Sequence, residues 1–181
     1  MTSTTCTVVT LGLVVGWLVG CSTAPPTADM RNQLLEQSAA TLKDMSRVDP
    51  GVEELARKGH GYALFPEVGK GGLVFGGAYG RGVVYEQGQH VGYADLTFGS
   101  FGLQLGGQTY SELIVFENKA ALERFQQGRL DFAAGASAVI LMNGAAANAR
   151  FVEGTVVIVR SLTGAMAEAA IGGEQFKYVP K

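Results

Sequence analysis

Three kinds of side chain in this sequence could do chemistry, and each sits in a different setting. The first is Cys21, which closes the run Leu18-Val19-Gly20-Cys21. An apolar stretch followed by small residues and a thiol is the pattern of a bacterial lipobox. In that pattern the chain is cut before the cysteine, and the sulfur accepts diacylglycerol. The second is a set of cations around glycines: Lys70 before Gly71-Gly72, Arg81 between Gly80 and Gly82, and Arg150 further on. Glycines let a ligand approach the backbone, turn amides can cradle an anion, and a nearby cation adds charge toward a phosphate. On residue type alone, solvated surface cations are the first reading of Lys70, Arg81 and Arg150, and a head-group site is the alternative. The third is the pair His60 and His90, far apart and without a companion cysteine. A closed zinc site takes four ligands, so no metal site is expected.

Other catalytic patterns are missing. Ser100 and Ser111 lack the Gly-x-Ser-x-Gly setting of a nucleophile elbow. Gly69-Lys70-Gly71 lacks the hydroxyl residue and the upstream glycine of a phosphate-binding P-loop. Glu67 and Asp95 read as a solvated loop charge and a satisfied strand end. The sequence therefore points to a binding or structural protein that needs no cofactor and is not an enzyme.

The anchor sets the compartment. The apolar run from Val8 to Val19 is shorter than the ~20 residues of a membrane span and fits a signal peptide. No Lys or Arg precedes Cys21, so the α-amino group is the only positive charge there. Residues 1–20 are read as a lipoprotein signal and 21–29 as a lipidated tether containing Pro25-Pro26. Residues 30–181 are read as one domain. An Asp after the lipidated cysteine tends to retain Gram-negative lipoproteins at the inner membrane. Ser22 therefore points to an outer-membrane anchor facing the periplasm. Removing the signal removes Cys6 and leaves Cys21 for lipid, so stability must come from a core rather than a disulfide. With 14 basic and 16 acidic residues, the chain lacks the basic excess of a nucleic-acid binder.

The elements that must position these residues follow from periodicity. Met30 to Val48 is expected as a helix, its stripe of Met30, Leu34, Leu35, Leu42 and Met45 packing on the domain rather than lying on lipid. A second helix is expected from Asp49-Pro50 to Gly59. From Gly61 the texture becomes β: Tyr62–Phe65 ending at Pro66, then Gly72–Tyr79, Val83–Glu86, His90–Phe98, Phe101–Gly107 and Glu112–Phe116. Gln87-Gly88-Gln89 reads as a hairpin turn. Asn118 should cap a helix from Lys119 to about Arg129, with Ala121, Leu122 and Phe125 inward. Thr155–Ser161 reads as a strand, and 164–171 is open between helix and strand. The 26 glycines among apolar residues mark turns and bulges. The expected class is α+β: N-terminal helices, then a Gly-rich antiparallel sheet, barrel-like, with one or two covering helices.

Several segments together resemble the SYLF-domain family. They are Ala56-Arg57-Lys58-Gly59-His60-Gly61-Tyr62-Ala63-Leu64-Phe65-Pro66, the stretch from Lys70 to Val83, Gly99-Ser100-Phe101-Gly102-Leu103-Gln104-Leu105-Gly106-Gly107-Gln108, and Ile114-Val115-Phe116. The resemblance implies a lipid-binding module, with phosphoinositides as ligands in eukaryotic relatives and actin as a partner in some. Bacterial members are commonly secreted lipoproteins, in agreement with Cys21. By resemblance Lys70 and Arg81 match basic positions of the glycine motif and are the expected head-group contacts. Leu162–Ala167 departs from the family by lacking its usual aromatic. Membrane phospholipids with anionic head groups are the expected partners. A structural envelope lipoprotein that holds a protein or peptidoglycan is the alternative.

Overall fold

The computed structural model describes residues 23–129, 132–133, 138–140 and 143–181. The lipobox, its Cys21 and the signal peptide lie outside the described residues.

Helix α1 spans Ala28–Val48. The Thr27 hydroxyl accepts from the Met30 amide at 3.2 Å, Asp29 stands in the first turn and Arg47 in the last. These match the free amides and the dipole of the helix ends. Leu34 and Met45 are buried, with Leu35 and Leu42 packed beside them, so the apolar stripe covers the sheet, except that Met30, in the first turn, stays exposed. Helix α2 spans Gly51–Lys58 and stops at Gly59, as expected. Asp49 precedes it, and its carboxylate accepts from the amides of Gly51 at 3.0 Å and Ala146 at 2.7 Å. One side chain thus joins the helix start to a distant loop.

Three strands follow: β1 (Gly61–Gly72), β2 (Phe75–Glu86) and β3 (Gln89–Phe116). Pro66 does not end β1. It occupies a register shift between Phe65 and Val68, where its missing amide costs no ladder bond. The Ser111 hydroxyl donates to its carbonyl at 2.8 Å. The segment expected as three strands within 90–116 is one, because glycine bends it without ending its pairing. Gly102 and Gly106 have φ of 148° and 113°, a region closed to most side chains. On either side of that bend β3 changes partner, pairing with β2 from Gln89 to Phe101 and with β1 from Gly106 to Phe116.

Helix α3 (Lys119–Gln126) is capped by the Asn118 side chain, which accepts from the Ala121 amide at 3.0 Å. Short β4 (Phe132–Ala133), β5 (Ala138–Ile140) and α4 (Ala145–Asn148) lead to β6 (Thr155–Pro180). Strand β6 follows β3 along its length, from Phe116↔Thr155 to Gly92↔Pro180, and so makes 164–171 a strand.

The fold is α+β, as expected, and its barrel-like sheet is not closed. The sheet runs β1-β2-β3-β6-β4, with β5 parallel to β6, and β1 also pairs β3. Among the described residues nothing pairs β6 back to β1 or β2, so the sheet is strongly coiled and not closed. The physical reason is the bend in β3. It wraps one strand around both members of the β1–β2 hairpin and leaves β6 outside, with an edge protected only by short strands.

Alternation gives the sheet two apolar faces. The inner face gathers Phe65, Leu96, Ile114 and Phe116 under Leu122 and Phe125 of α3. The Phe125 ring centroid is 5.0 Å from that of Phe116 and 5.1 Å from that of Phe176. The outer face gathers Leu64, Val83, Leu113 and Ile158 under α1 and α2.

Candidate functional site

The coil of the sheet gives the molecule a glycine-rich end, formed by the β1–β2 hairpin tip and the bend of β3. The Gly102 amide donates to the Val74 carbonyl at 3.0 Å, and the Phe75 and Phe101 rings stand 5.2 Å apart. Beside the tip lies a shallow, open concavity of about 330 Å³, lined by Gly69, Lys70, Gly71, Gln108, Thr163 and Gly164 among others. A Cβ at Gly69 would meet nothing within 4 Å. Glycine here keeps the wall bare rather than relieving a clash. Gly72 differs: it closes the hairpin opposite Gly76, whose Cα a side chain at position 72 would strike.

Lys70 belongs to the inner face. It pairs with Ala78, Ala78 with Phe98, and Phe98 with Glu174, so these residues share one row across the sheet. The Lys70 Nζ stands 4.4 Å from the Phe98 ring centroid, a cation–π contact. Burial raises the Glu174 carboxyl above the usual carboxylate range, and the Lys70 charge opposes that rise. Lys70 is thus a held cation at the mouth of the inner face, not a loose surface charge.

Deeper on the same face is a group that the sequence reading did not single out. Glu112 is fully buried, and its Oε1 has no hydrogen-bond partner. Burial, and then the charge of Glu174, push its carboxyl well above the usual range. Two acids and one lysine therefore share the inner face, and the deeper acid is held toward its neutral form. The signal was readable, since Tyr110, Glu112, Ile114 and Phe116 alternate along one strand face. Expecting the strand to begin at Glu112 hid it.

The structure does not bring the predicted cations together. Arg81 lies three residues beyond Ala78 in unbroken register with β3, and therefore on the opposite face from Lys70. There its Nε donates to the Asp95 Oδ1 at 3.2 Å and its Nη2 to the Tyr79 Oη at 3.1 Å. The Tyr79 hydroxyl in turn donates to Asp95 at 3.1 Å. Burial, then the Asp95 charge, raise the Tyr79 phenol above its ordinary value. Arg150 is exposed in the segment after α4, between Ala149 and Phe151, which pack on the helix-covered outer face. Of the predicted ligand-binding residues, Lys70 and Gly71 line the concavity, Gly72 shapes its hairpin, and Arg81 and Arg150 stand apart.

Two further concavities lie between the helices and the sheet. One of about 460 Å³ is lined by Leu42, Glu53, Arg57 and Tyr62 among others, and its neighbour of about 420 Å³ adds Lys43 and Tyr85. Tyr62 and Tyr85 stack there at 4.9 Å. Burial pushes the Tyr62 phenol up to about 12. His60 contacts Glu86 at 2.9 Å, and burial lowers the pKa of His90. Among the described residues no three His, Cys, Asp or Glu side chains gather as a metal site. No described helix is long and apolar enough to cross a membrane.

Residues 97–177 match the family model for Ysc84, described as Las17-binding protein actin regulator, which is the SYLF family that the sequence resembles. The match takes in the bend of β3, helix α3, Arg150 and most of β6. Lys70, Gly71, Gly72 and Arg81 precede it. No curated protein matches the chain.

Proposed function

We propose that the domain binds membrane phospholipid with an anionic head group at its glycine-rich end. It acts as a binding module without catalysis, on a chain tethered through Cys21 to the outer membrane and facing the periplasm. The observation that carries this reading is the bare, glycine-lined concavity with Lys70 in its wall. A phosphate oxygen there accepts from the Lys70 Nζ, while Gly69 and Gly71 let the head group approach the strand backbone. Arg81, committed to Asp95 on the other face, supports its own strand pair and does not reach the same ligand. The family description names an actin regulator. That partner is not carried over, because a periplasmic domain meets no actin.

The test is co-sedimentation of the chain from residue 23 onward with phosphatidylglycerol-containing vesicles at low salt. Circular dichroism verifies the fold of each variant. Lys70→Ala is expected to weaken binding several-fold and Arg81→Ala to leave it unchanged. Unchanged binding by a folded Lys70→Ala variant contradicts the site, and the absence of any binding contradicts the function.

A further inference from the structure

The glycine-rich end is also the most apolar exposed part of the described surface. Leu73, Phe75, Phe101 and Leu105 are 65%, 74%, 64% and 66% exposed, and Val74 is 49% exposed. All five lie on the hairpin tip or in the bend of β3, tied together by the Phe75–Phe101 contact and the Gly102–Val74 hydrogen bond. The stretches 71–80 and 96–111, which build this end, contain no Asp, Glu, Lys, Arg or His. Along β1, β2 and β3 charge returns only at the borders of these stretches, with Lys70, Arg81, Asp95 and Glu112, and the neighbouring β6 adds Glu168 opposite Gln104 and Glu174 opposite Phe98. A soluble protein rarely exposes a contiguous apolar patch without a use for it.

We infer that this tip inserts into the hydrocarbon edge of a lipid bilayer, with Leu73, Phe75, Phe101 and Leu105 as the inserted side chains. Complementarity of charge favours lipid. The five exposed side chains at the tip carry no charge to offer a polar protein partner, and hydrocarbon requires none of them. Size argues the same way. Five side chains on a narrow tip present a few hundred Å² at most, against the ~800 Å² that each partner of a stable protein pair contributes. Insertion of a few apolar side chains needs only about 5–10 Å of depth. It would bring the Lys70 concavity to the level of the head groups, so the inference deepens the phospholipid reading and rests on it.

The experiment uses the full chain reconstituted in vesicles, with Trp17→Phe to remove the only tryptophan. Phe75→Trp, and separately Phe101→Trp, place one indole at the tip. Val152→Trp is the control, an exposed position next to the start of β6 at the far end of β3. In phosphatidylcholine vesicles, brominated acyl chains are expected to quench the tip indoles at least about twofold and the control hardly at all, given the shallow depth above. Tip indoles that stay unquenched overturn the inference, whether they are exposed to water or covered by a second copy. Equal quenching at tip and control overturns it too. Quenching in phosphatidylcholine that persists with Lys70→Ala supports insertion even if the head-group site fails. Lys70-dependent binding to anionic vesicles with unquenched tip indoles overturns insertion and leaves the head-group site standing.

Discussion

The Phe116 end of β3 and its central bend carry similar residues and use them in opposite ways. At the Phe116 end, aromatic rings meet α3 and are fully buried. At the bend, Phe101 and Leu105 are two-thirds exposed. The same apolar chemistry forms a core in one region and an open tip in the other. The difference lies in what the chain supplies next. After Phe116, Asn118 starts a helix that folds back over the rings. Around Gly102 and Gly106 the strand only bends, and the neighbouring turn is two apolar residues long. Burial at the Phe116 end holds the fold together, which leaves the bend free to meet a surface.

Substitution of one phenylalanine in each region is the strongest way to break this comparison. Phe125→Ala should destabilise the protein by about 3–5 kcal/mol, the cost of a large core truncation. Phe101→Ser should change stability by less than about 1 kcal/mol, since it loses mainly one exposed ring contact. Equal losses in chemical denaturation would mean that the tip is part of the core.

The next effect concerns the inner face. The folded-state pKa of Glu112 is raised from an ordinary 4.5, chiefly by burial. The folded protein therefore holds this proton more tightly than the unfolded chain does. The contribution of this group to stability is fullest below about 4.5 and falls as pH rises through the higher folded value. Glu112→Gln keeps the shape without the titration, so it should flatten this part of the stability profile and raise the melting temperature at neutral pH. A profile that keeps its slope in the variant would shift the cause to Glu174 or elsewhere.

The smallest expected effect sharpens the division between the sheet's two faces. Arg81→Ala removes a part-buried ion pair with Asp95 and should cost about 1 kcal/mol or less. Lys70→Ala should alter lipid binding more than stability. If Arg81→Ala weakened lipid binding as much as Lys70→Ala does, the face assignment would lose its meaning.

Local signals were legible in the sequence where one residue does one job. Asn118 starts α3, Gly59 stops α2, and Ala121, Leu122 and Phe125 point inward as their spacing requires. The strands of the glycine-rich end were less legible. Glycine reads as an interruption, yet in β3 it marks a bend within continuous pairing. The ambiguity at 164–171 was settled by a partner distant in sequence, which no local pattern contains. The site shows the same limit. Lys70 and Gly71 are neighbours in the chain and remain neighbours in the concavity. The separation of Arg81 from Lys70 depends on where the hairpin turns, because a shift of one residue would exchange the faces. The turn falls at Leu73-Val74, inside a segment that reads as strand.

The central claim is that the glycine-rich end, and not the opposite end, meets the membrane. Backbone hydrogen exchange on the full chain, compared between detergent and phosphatidylglycerol-containing vesicles, tests it most directly. The account predicts slowed exchange around Leu73, Val74 and Phe101–Leu105, with the Gln87-Gly88 turn at the other end of β2 unaffected. Slowing confined to that turn or to α1, with the hairpin tip exchanging as before, would contradict it.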